Sequence, residues 1–540
     1  MKKLFLYSAI AISAFTVSCR EMDDNISPNN VDPATISPRQ LLAASENIVF
    51  STQAGTLNSL SNVWTNTWAG NYYYYGNPLT TEYSLDISNN FGTGIWSSSY
   101  ITSANLQNII NNGSNLPLHS AIAKILQAYT LQYVVDFYGD APYSEAFQRQ
   151  ANLTPKYDND ADIYKALVLK VNEAIADIDL HKNNITSDIA VSPTEDVIFQ
   201  GNVLKWKQFA KNVKLKLLLR QSKVTDSSIR TFVDQQLQTL ATASTADFFT
   251  DNVAINPGYS NQNAATVNPI YANYGVSTYN GALNTGGWRL YKLSEFYANN
   301  VNGTTYGVGA ADLRGTKQFR RFSQSEAAQG VTTPKGIKQG GSKPAGTVET
   351  GYSYIAGNFV GGNLETYYTY LGSTTDGANI ASKKASQDGY LALNSENKLL
   401  LAEAATLYPA IFTFSAQSLY QAAVQDSFAY YNLTSAQATS YLNGLNTTSV
   451  GWTGAPNKIA AIQYQRLVCL ANLRQVETYI NYLKTGYPVI PNADTAIYPN
   501  KPYRLIYPLS EYTGNSANVP NVSQAQVFVK NQYTPFWNQN

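Results

Sequence analysis

Two blocks of helical apolar periodicity, separated by a long stretch that lacks it, constrain this chain more than any other feature. In the first block, Leu118, Ile122, Ile125, Tyr129, Tyr133 and Phe137 make one stripe. Ile163, Leu167, Val171, Ala174 and Ile178 make a second, and Val203, Trp206, Phe209, Val213 and Leu217 a third. Such spacings place the apolar side chains on one face of a helix. Ser37-Pro38 marks the first helix start, with Ser as cap and Pro at the first helical position. Lys205, Lys207, Lys211, Lys214 and Lys216 line the back of the third stripe and read as a solvated face. In the second block Leu393, Leu400 and Leu407 form a stripe. Ile462, Leu473, Val476, Ile480 and Leu483 form another, which also carries Cys469, read as a small buried apolar side chain. The pattern predicts a mainly α fold: helical pairs packed as a superhelical scaffold, at about 37–246 and 390–540. No clean 34-residue repeat accompanies it. In the region of about 247–389, Gly, Asn, Ser, Thr and Tyr dominate, which predicts long ordered loops of the kind that carry function.

The N-terminus predicts export. Met1-Lys2-Lys3 is followed by an apolar run from Leu4 to Phe15, the length of a signal-peptide core and too short to span a bilayer. Thr16-Val17-Ser18-Cys19 resembles a lipobox, with Thr16 where Leu is usual. Residues 1–18 are then a signal peptide, Cys19 carries the lipid (palmitate among its acyl chains), and 19–36 is a flexible polar tether. A triacylated Cys supplies the several chains that stable anchoring needs. Arg20-Glu21-Met22-Asp23-Asp24 resembles the surface-export signal of Bacteroidetes lipoproteins. Loss of Lys2 and Lys3 lowers Lys plus Arg from 37 to 35 against 36 acids, so the mature chain is no polycation for nucleic acid. With Cys19 acylated, Cys469 has no partner for a disulfide.

Signals for chemistry are weak. Asp158, Asp160 and Asp162 have calcium-loop spacing, but Ile163 stands where that loop needs Gly and Leu169 where it needs Glu. Capping of the Ile163 helix is the favoured role. Glu396 and Glu403 share one helix face with Leu400 between them, which reads as buried structural carboxylates rather than a glycosidase pair. His119 and His181 are the only histidines, and neither has a metal-ligand partner at suitable spacing. No phosphate loop or nucleophile elbow is found. The chain is read as a binding protein without cofactor, not an enzyme.

Aromatic and amide chemistry remains. Forty Tyr and seven Trp stand against 14% charged residues, a composition suited to stacking on neutral polar ligands. Trp64, Trp68, Asn71, Tyr72–Tyr75 and Trp96 form a first cluster; Tyr271, Tyr274, Tyr279 and Trp288 a second; Tyr352, Tyr354, Tyr367, Tyr368 and Tyr370 a third. The candidate ligand residues are Trp68, Asn71, Tyr73, Tyr75, Trp96, Tyr274, Tyr279 and Trp288.

Asp136-Phe137-Tyr138-Gly139-Asp140-Ala141-Pro142-Tyr143-Ser144-Glu145-Ala146 resembles the D-x-[YF]-G-D-x-P-Y-[ST]-E-A signature of SusD/RagB lipoproteins. In family order follow Pro155-Lys156-Tyr157-Asp158, Trp206 to Lys211, Leu399 to Ala404, Thr485-Gly486-Tyr487-Pro488 and Arg504 to Pro508. Asp312-Leu313-Arg314 resembles the family's D-P-R, with Leu for Pro. The resemblance spans residues 19 to about 520 and is poor at about 247–390. It implies tetratricopeptide-like pairs, one SusD-like domain over 37–540 and an outer-membrane site facing the cell exterior. It also implies capture of an oligosaccharide or peptide nutrient for a SusC-like TonB-dependent β-barrel transporter. The alternative is a scaffold subunit of an outer-membrane complex without nutrient binding. Asp494-Thr495-Ala496 resembles a Bacteroidetes O-glycosylation site, which makes Thr495 a candidate for modification.

Overall fold

The computed structural model describes residues 36–241, 244–275, 278–282, 284, 286–307, 311–319, 333–347, 349–355 and 384–539. Residues 1–18, read as a signal peptide, with Cys19, Tyr367, Tyr368 and Tyr370, lie outside them. Residues from Pro38 onward form one compact unit.

That unit is mainly helical. Its first block holds α1 (Pro38–Thr52), α2 (Thr93–Asn111), α3 (Pro117–Tyr138), α4 (Asp160–His181), α5 (Val203–Arg220) and α6 (Ser227–Gln238). Its second holds α7 (Asn394–Leu407), α8 (Ala416–Tyr430), α9 (Ser435–Leu445), α10 (Lys458–Cys469) and α11 (Gln475–Thr485). Successive helices pack on each other: α2 on α3, α3 on α4, α7 on α8, α8 on α9, α10 on α11. The sequence places the ends. Pro117 opens α3, where its missing N–H costs nothing. Asn202 caps α5 by accepting from Lys205 N at 3.1 Å, and Asn457 caps α10 by accepting from Ala460 N at 2.9 Å. Gly139 ends α3 at φ 71°, ψ −128°, a region open essentially to glycine, and a Cβ there would lie 3.1 Å from the Tyr533 carbonyl oxygen.

Three sequence readings need correction. The stripe from Ile462 to Leu483 is not one helix: Asn472, at φ 72°, turns the chain between α10 and α11, so two helices share one buried side. The α5 lysines are not one solvated face, because Lys214 and Lys216 are 3% and 5% exposed. Asp158 does not cap the Ile163 helix. Asn159 does, accepting from Ala161 N at 3.1 Å, while Asp158 Oδ2 accepts from Tyr143 N and Ser144 N at 3.1 and 2.7 Å and so pins the turn after Pro142.

Lys216 enters a dry ion cluster that joins the two helical blocks. Its Nζ donates to Glu396 Oε1 and Glu477 Oε1 at 3.1 and 3.0 Å. Arg474 Nε donates to Glu396 Oε2 at 3.0 Å, Arg220 Nη2 to Glu477 Oε2 at 3.1 Å, and Tyr133 Oη to Glu477 Oε1 at 2.7 Å. Burial pushes the Glu396 and Glu477 carboxyls up, but the surrounding cations outweigh it and hold both below the usual range. Glu403 is held likewise by Lys484 and by Arg466 at 3.0 Å. Glu396 and Glu403 are thus paired structural carboxylates, as their apolar helix face implies. Arg314 lies fully buried against Asp312 at 2.6 Å, with Nη1 3.3 Å from Cys469 Sγ, and burial pushes that thiol up. The aspartate–arginine match in the poorly resembling middle is therefore a packing device.

Four short strands fasten the loop-rich region. β1 (Trp68–Gly70) pairs antiparallel with β3 (Tyr291–Leu293), Ala69 opposite Lys292. β2 (Val253–Ile255) pairs antiparallel with β4 (Gly389–Ala392). Bridges Lys292–Tyr354 and Ser294–Ile337 extend the first pair. Among the described residues no helix is long and apolar enough to cross a membrane.

Candidate functional site

The turn that leaves β1 spreads four consecutive tyrosines, and one asparagine organises it. Asn71 N donates to Leu290 O at 2.8 Å, and its Nδ2 donates to Arg289 O and Glu349 Oε1 at 2.7 and 2.8 Å. Its Oδ1 accepts from Tyr73 N at 3.1 Å, an Asx-type turn. Its carbonyl oxygen accepts from Tyr74 N and Tyr75 N. Asn71, itself fully buried, therefore anchors the run; Tyr72 and Tyr73 pack on Ala69, Ile337 and Tyr352, and Tyr74 is exposed.

The rings meet partners from far along the chain. Tyr73 lies 5.0 Å from Tyr72 and 5.5 Å from Tyr352, centroid to centroid. Tyr74 and Tyr75 meet edge to face at 4.7 Å. Cations sit over three of these faces: Arg289 at 3.8 Å from Tyr74, Lys343 at 5.1 Å from Tyr73, Lys335 at 5.0 Å from Tyr352. Behind them Glu349 accepts from Arg289 Nη2 at 3.3 Å, with Lys292 Nζ 4.0 Å away. Burial raises that carboxyl, and Lys292, Asn71 and Arg289 together bring it below the usual range. Burial pushes Lys292 far down. Tyr74 is 42% exposed and Tyr72, Tyr73 and Tyr75 are half-buried, so the face presents one exposed ring among partly covered ones. Aromatic faces of this kind stack on sugar rings and peptide planes.

The eight candidate ligand residues separate by burial. Tyr73 and Tyr75 lie half-buried on this face, and Asn71 holds it from beneath. Trp68 is closed to solvent: its Nε1 donates to Asn472 Oδ1 at 2.6 Å and its ring packs on Tyr274 and Tyr291 at 5.0 and 4.7 Å. Tyr274 is buried with its hydroxyl donating to Ala54 O at 3.1 Å. Trp288 is buried beside Tyr354, its indole N–H on Asn284 O. Trp96 is buried among Tyr100, Tyr138, Tyr157 and Tyr507, and donates to Glu511 Oε1 at 3.1 Å. Tyr279 is half-buried against the core. Of the eight, only Tyr73 and Tyr75 thus lie on this face; Asn71 supports it from beneath, Tyr279 packs against the core, and Trp68, Trp96, Tyr274 and Trp288 are buried packing residues rather than a surface site. Sequence reading passed over Arg289, Lys335, Lys343 and Glu349. Their only signal was position inside the loop-rich region. Thr495 is exposed in its loop, next to the Asp494–Lys338 ion pair of 2.7 Å.

A family model described as "Starch-binding associating with outer membrane" matches residues 28–319 and 347–508. The chain belongs to the SusD-like family. A chitin-binding SusD homologue from Flavobacterium johnsoniae is 18% identical, covers 92% of this chain and 98% of its own, and superposes with a TM-score of 0.66. A SusD homologue from Bacteroides fragilis is 17% identical, with coverages of 94% and 100% and a TM-score of 0.66. A further structure, titled a chitin-binding protein, is 21% identical, with coverages of 93% and 100% and a TM-score of 0.65. These likenesses show the fold. No curated protein is significantly similar in sequence.

Proposed function

We propose that this SusD-like chain is a lipid-anchored outer-membrane protein, held through Cys19, that captures an oligosaccharide on the Tyr72–Tyr75 face and passes it to a SusC-like TonB-dependent transporter. The observation that carries the reading is the exposed Tyr74 ring, backed by Arg289 and set beside Tyr73 and Tyr352 on an asparagine-anchored turn. Such a surface binds by stacking and oriented hydrogen bonds, and needs no catalytic group. Family membership supports a glycan over a peptide, and the starch and chitin named for its relatives supply the first probes.

The test is titration calorimetry with malto-oligosaccharides, chito-oligosaccharides and a peptide mixture. A glycan should bind with Kd near about 1 μM to about 1 mM. Tyr73→Ala with Tyr74→Ala should weaken it about tenfold or more, each stacked ring adding roughly 0.5–1.5 kcal/mol beyond its area. Glycan binding unchanged in the double variant would move the site elsewhere. Peptide binding alone would replace the glycan. A folded chain that binds no probe would favour the scaffold role.

A further inference from the structure

A second cleft, of about 290 Å³, opens on the helical scaffold away from the tyrosine face. It lies between α2, α4 and the loop following Pro142, and its walls include Tyr143, Phe147 and Lys170. Gln107, Asn111 and Gln148 form its polar edge. The volume is at the lower end of what small-molecule sites enclose.

The hydrogen bonds here run one way. Lys170 Nζ donates to Gln127 Oε1. Gln127 Nε2 donates to Gln107 Oε1 at 3.0 Å, and Gln107 Nε2 donates to Asn111 Oδ1 at 2.7 Å. Each amide oxygen in the relay accepts one of these bonds, and Lys170 keeps further N–H groups and Asn111 its amide N–H groups to donate. Lys170 is largely buried, stands 5.2 Å over the Tyr143 ring, and forms no ion pair among the described residues. Two nearby charges act on Lys170 in opposite senses: Glu173 favours its charged form and Lys124 disfavours it. Glu173 itself pairs with Lys124 at 3.3 Å, and Lys124 also with Asp177 at 3.0 Å. Asp158 takes Ser144 Oγ and two backbone N–H groups. The wall residue Phe147 sits at φ 66°, a conformation that bulky side chains rarely adopt and that needs surrounding structure to persist.

A largely buried cation with no direct ion pair among the described residues, a neighbouring amide donor and two aromatic walls suit an anion on a small organic body. We infer that this cleft binds a small carboxylate-bearing ligand, with Lys170 Nζ as its counter-ion, Asn111 as a second donor, and Tyr143 and Phe147 flanking its body. The carboxylate could belong to a uronic acid or to a peptide end, and the probes separate the two.

The experiment titrates the full chain with D-glucuronate, D-glucose and N-acetyl-L-alanine by calorimetry. At least one acid should bind about tenfold or more tightly than glucose, the scale of one charge-assisted hydrogen bond. Glucuronate preferred marks a sugar acid; N-acetylalanine preferred marks a peptide end. Lys170→Met should weaken the acid about tenfold while the protein stays folded by circular dichroism. Burial lowers the Lys170 pKa to about 8, so the acid's affinity should fall from about pH 7 to about pH 9 in the wild type and stay flat in Lys170→Met. Phe147→Asn, whose new residue tolerates the left-handed backbone, should keep the fold and weaken the acid. Glucose binding as tightly as both acids, equal acid binding in Lys170→Met, or no acid binding up to about 20 mM would overturn the inference.

Discussion

The Glu477 cluster and the Tyr72–Tyr75 face are assembled from the same kinds of groups: carboxylates, basic side chains and phenols. In the cluster, Glu477, Lys216, Arg220, Arg474 and Tyr133 are each nearly sealed from water, and Glu396 and Glu477 are each matched by at least two cations. On the face, Arg289 and Lys343 lie over the exposed Tyr74 and half-buried Tyr73 rings, Lys335 lies over the buried Tyr352 ring, and one carboxylate, Glu349, pairs with Arg289. In the dry cluster removing one charge leaves others uncompensated, whereas on the wet face solvent replaces what is lost. The cluster therefore joins the two helical blocks, and the face keeps contact with solvent. The two regions differ by access to water rather than by residue type.

The sharpest way to break this comparison is Glu477→Gln, which leaves Lys216 and Arg220 without their shared carboxylate. It should cost about 3–5 kcal/mol, read as a lowered denaturant midpoint. Midpoints equal to wild type would show that the cluster is not structural. Trp68→Ala should also cost about 3–5 kcal/mol, because it empties a sealed position and strands the Asn472 amide oxygen. Loss of glycan affinity with no loss of stability would instead return Trp68 to the ligand site.

Titration sharpens the contrast. The Glu396, Glu403 and Glu477 carboxyls lie below their unfolded values, so their stabilisation is fully present above about pH 4.3 and is lost as pH falls through their folded values. Asp160 behaves in the opposite sense. Burial and nearby Asp140 raise it to about 7, so its protonated form is favoured on folding. That contribution is complete below about pH 3.9 and disappears as pH rises through about 7. Asp160→Asn should flatten this slope and, above about pH 7, stabilise the chain on the order of 1–3 kcal/mol, measured by denaturation across pH. An unchanged slope would mean that the Phe536 amide and Arg504 keep Asp160 ionised in the fold.

The smallest expected effect belongs to the face itself. Tyr74→Ala should change stability by less than about 0.5 kcal/mol, as exposed substitutions do, while reducing glycan affinity. A large drop in melting temperature would make Tyr74 a packing residue. Thr495→Ala should alter neither property and should remove any O-glycan that intact mass spectrometry finds at that exposed loop.

Much of the scaffold is readable from local pattern. The stripes from Leu118 to Phe137 and from Ile163 to Ile178 predict α3 and α4, because helical periodicity depends on near neighbours alone. Pro117 and Asn202 mark helix starts for the same reason. Glu396 and Glu403 announce burial through the apolar residues between them. The α5 lysines mislead, because the partners that bury Lys216 stand 180 and 261 positions away.

Trp68 and Tyr74, six residues apart in one aromatic run, show what tertiary structure alone decided. Nothing local separates them. Trp68 lies in a strand covered by Tyr274, Tyr291 and Asn472, and Tyr74 lies on the turn beyond, where Tyr75 and Arg289 reach its ring. Sequence by itself determined the family and the helices, since these follow from ordered motifs and short-range periodicity. Which aromatic ring faces water depends on long-range partners, and only the packed chain brings those together.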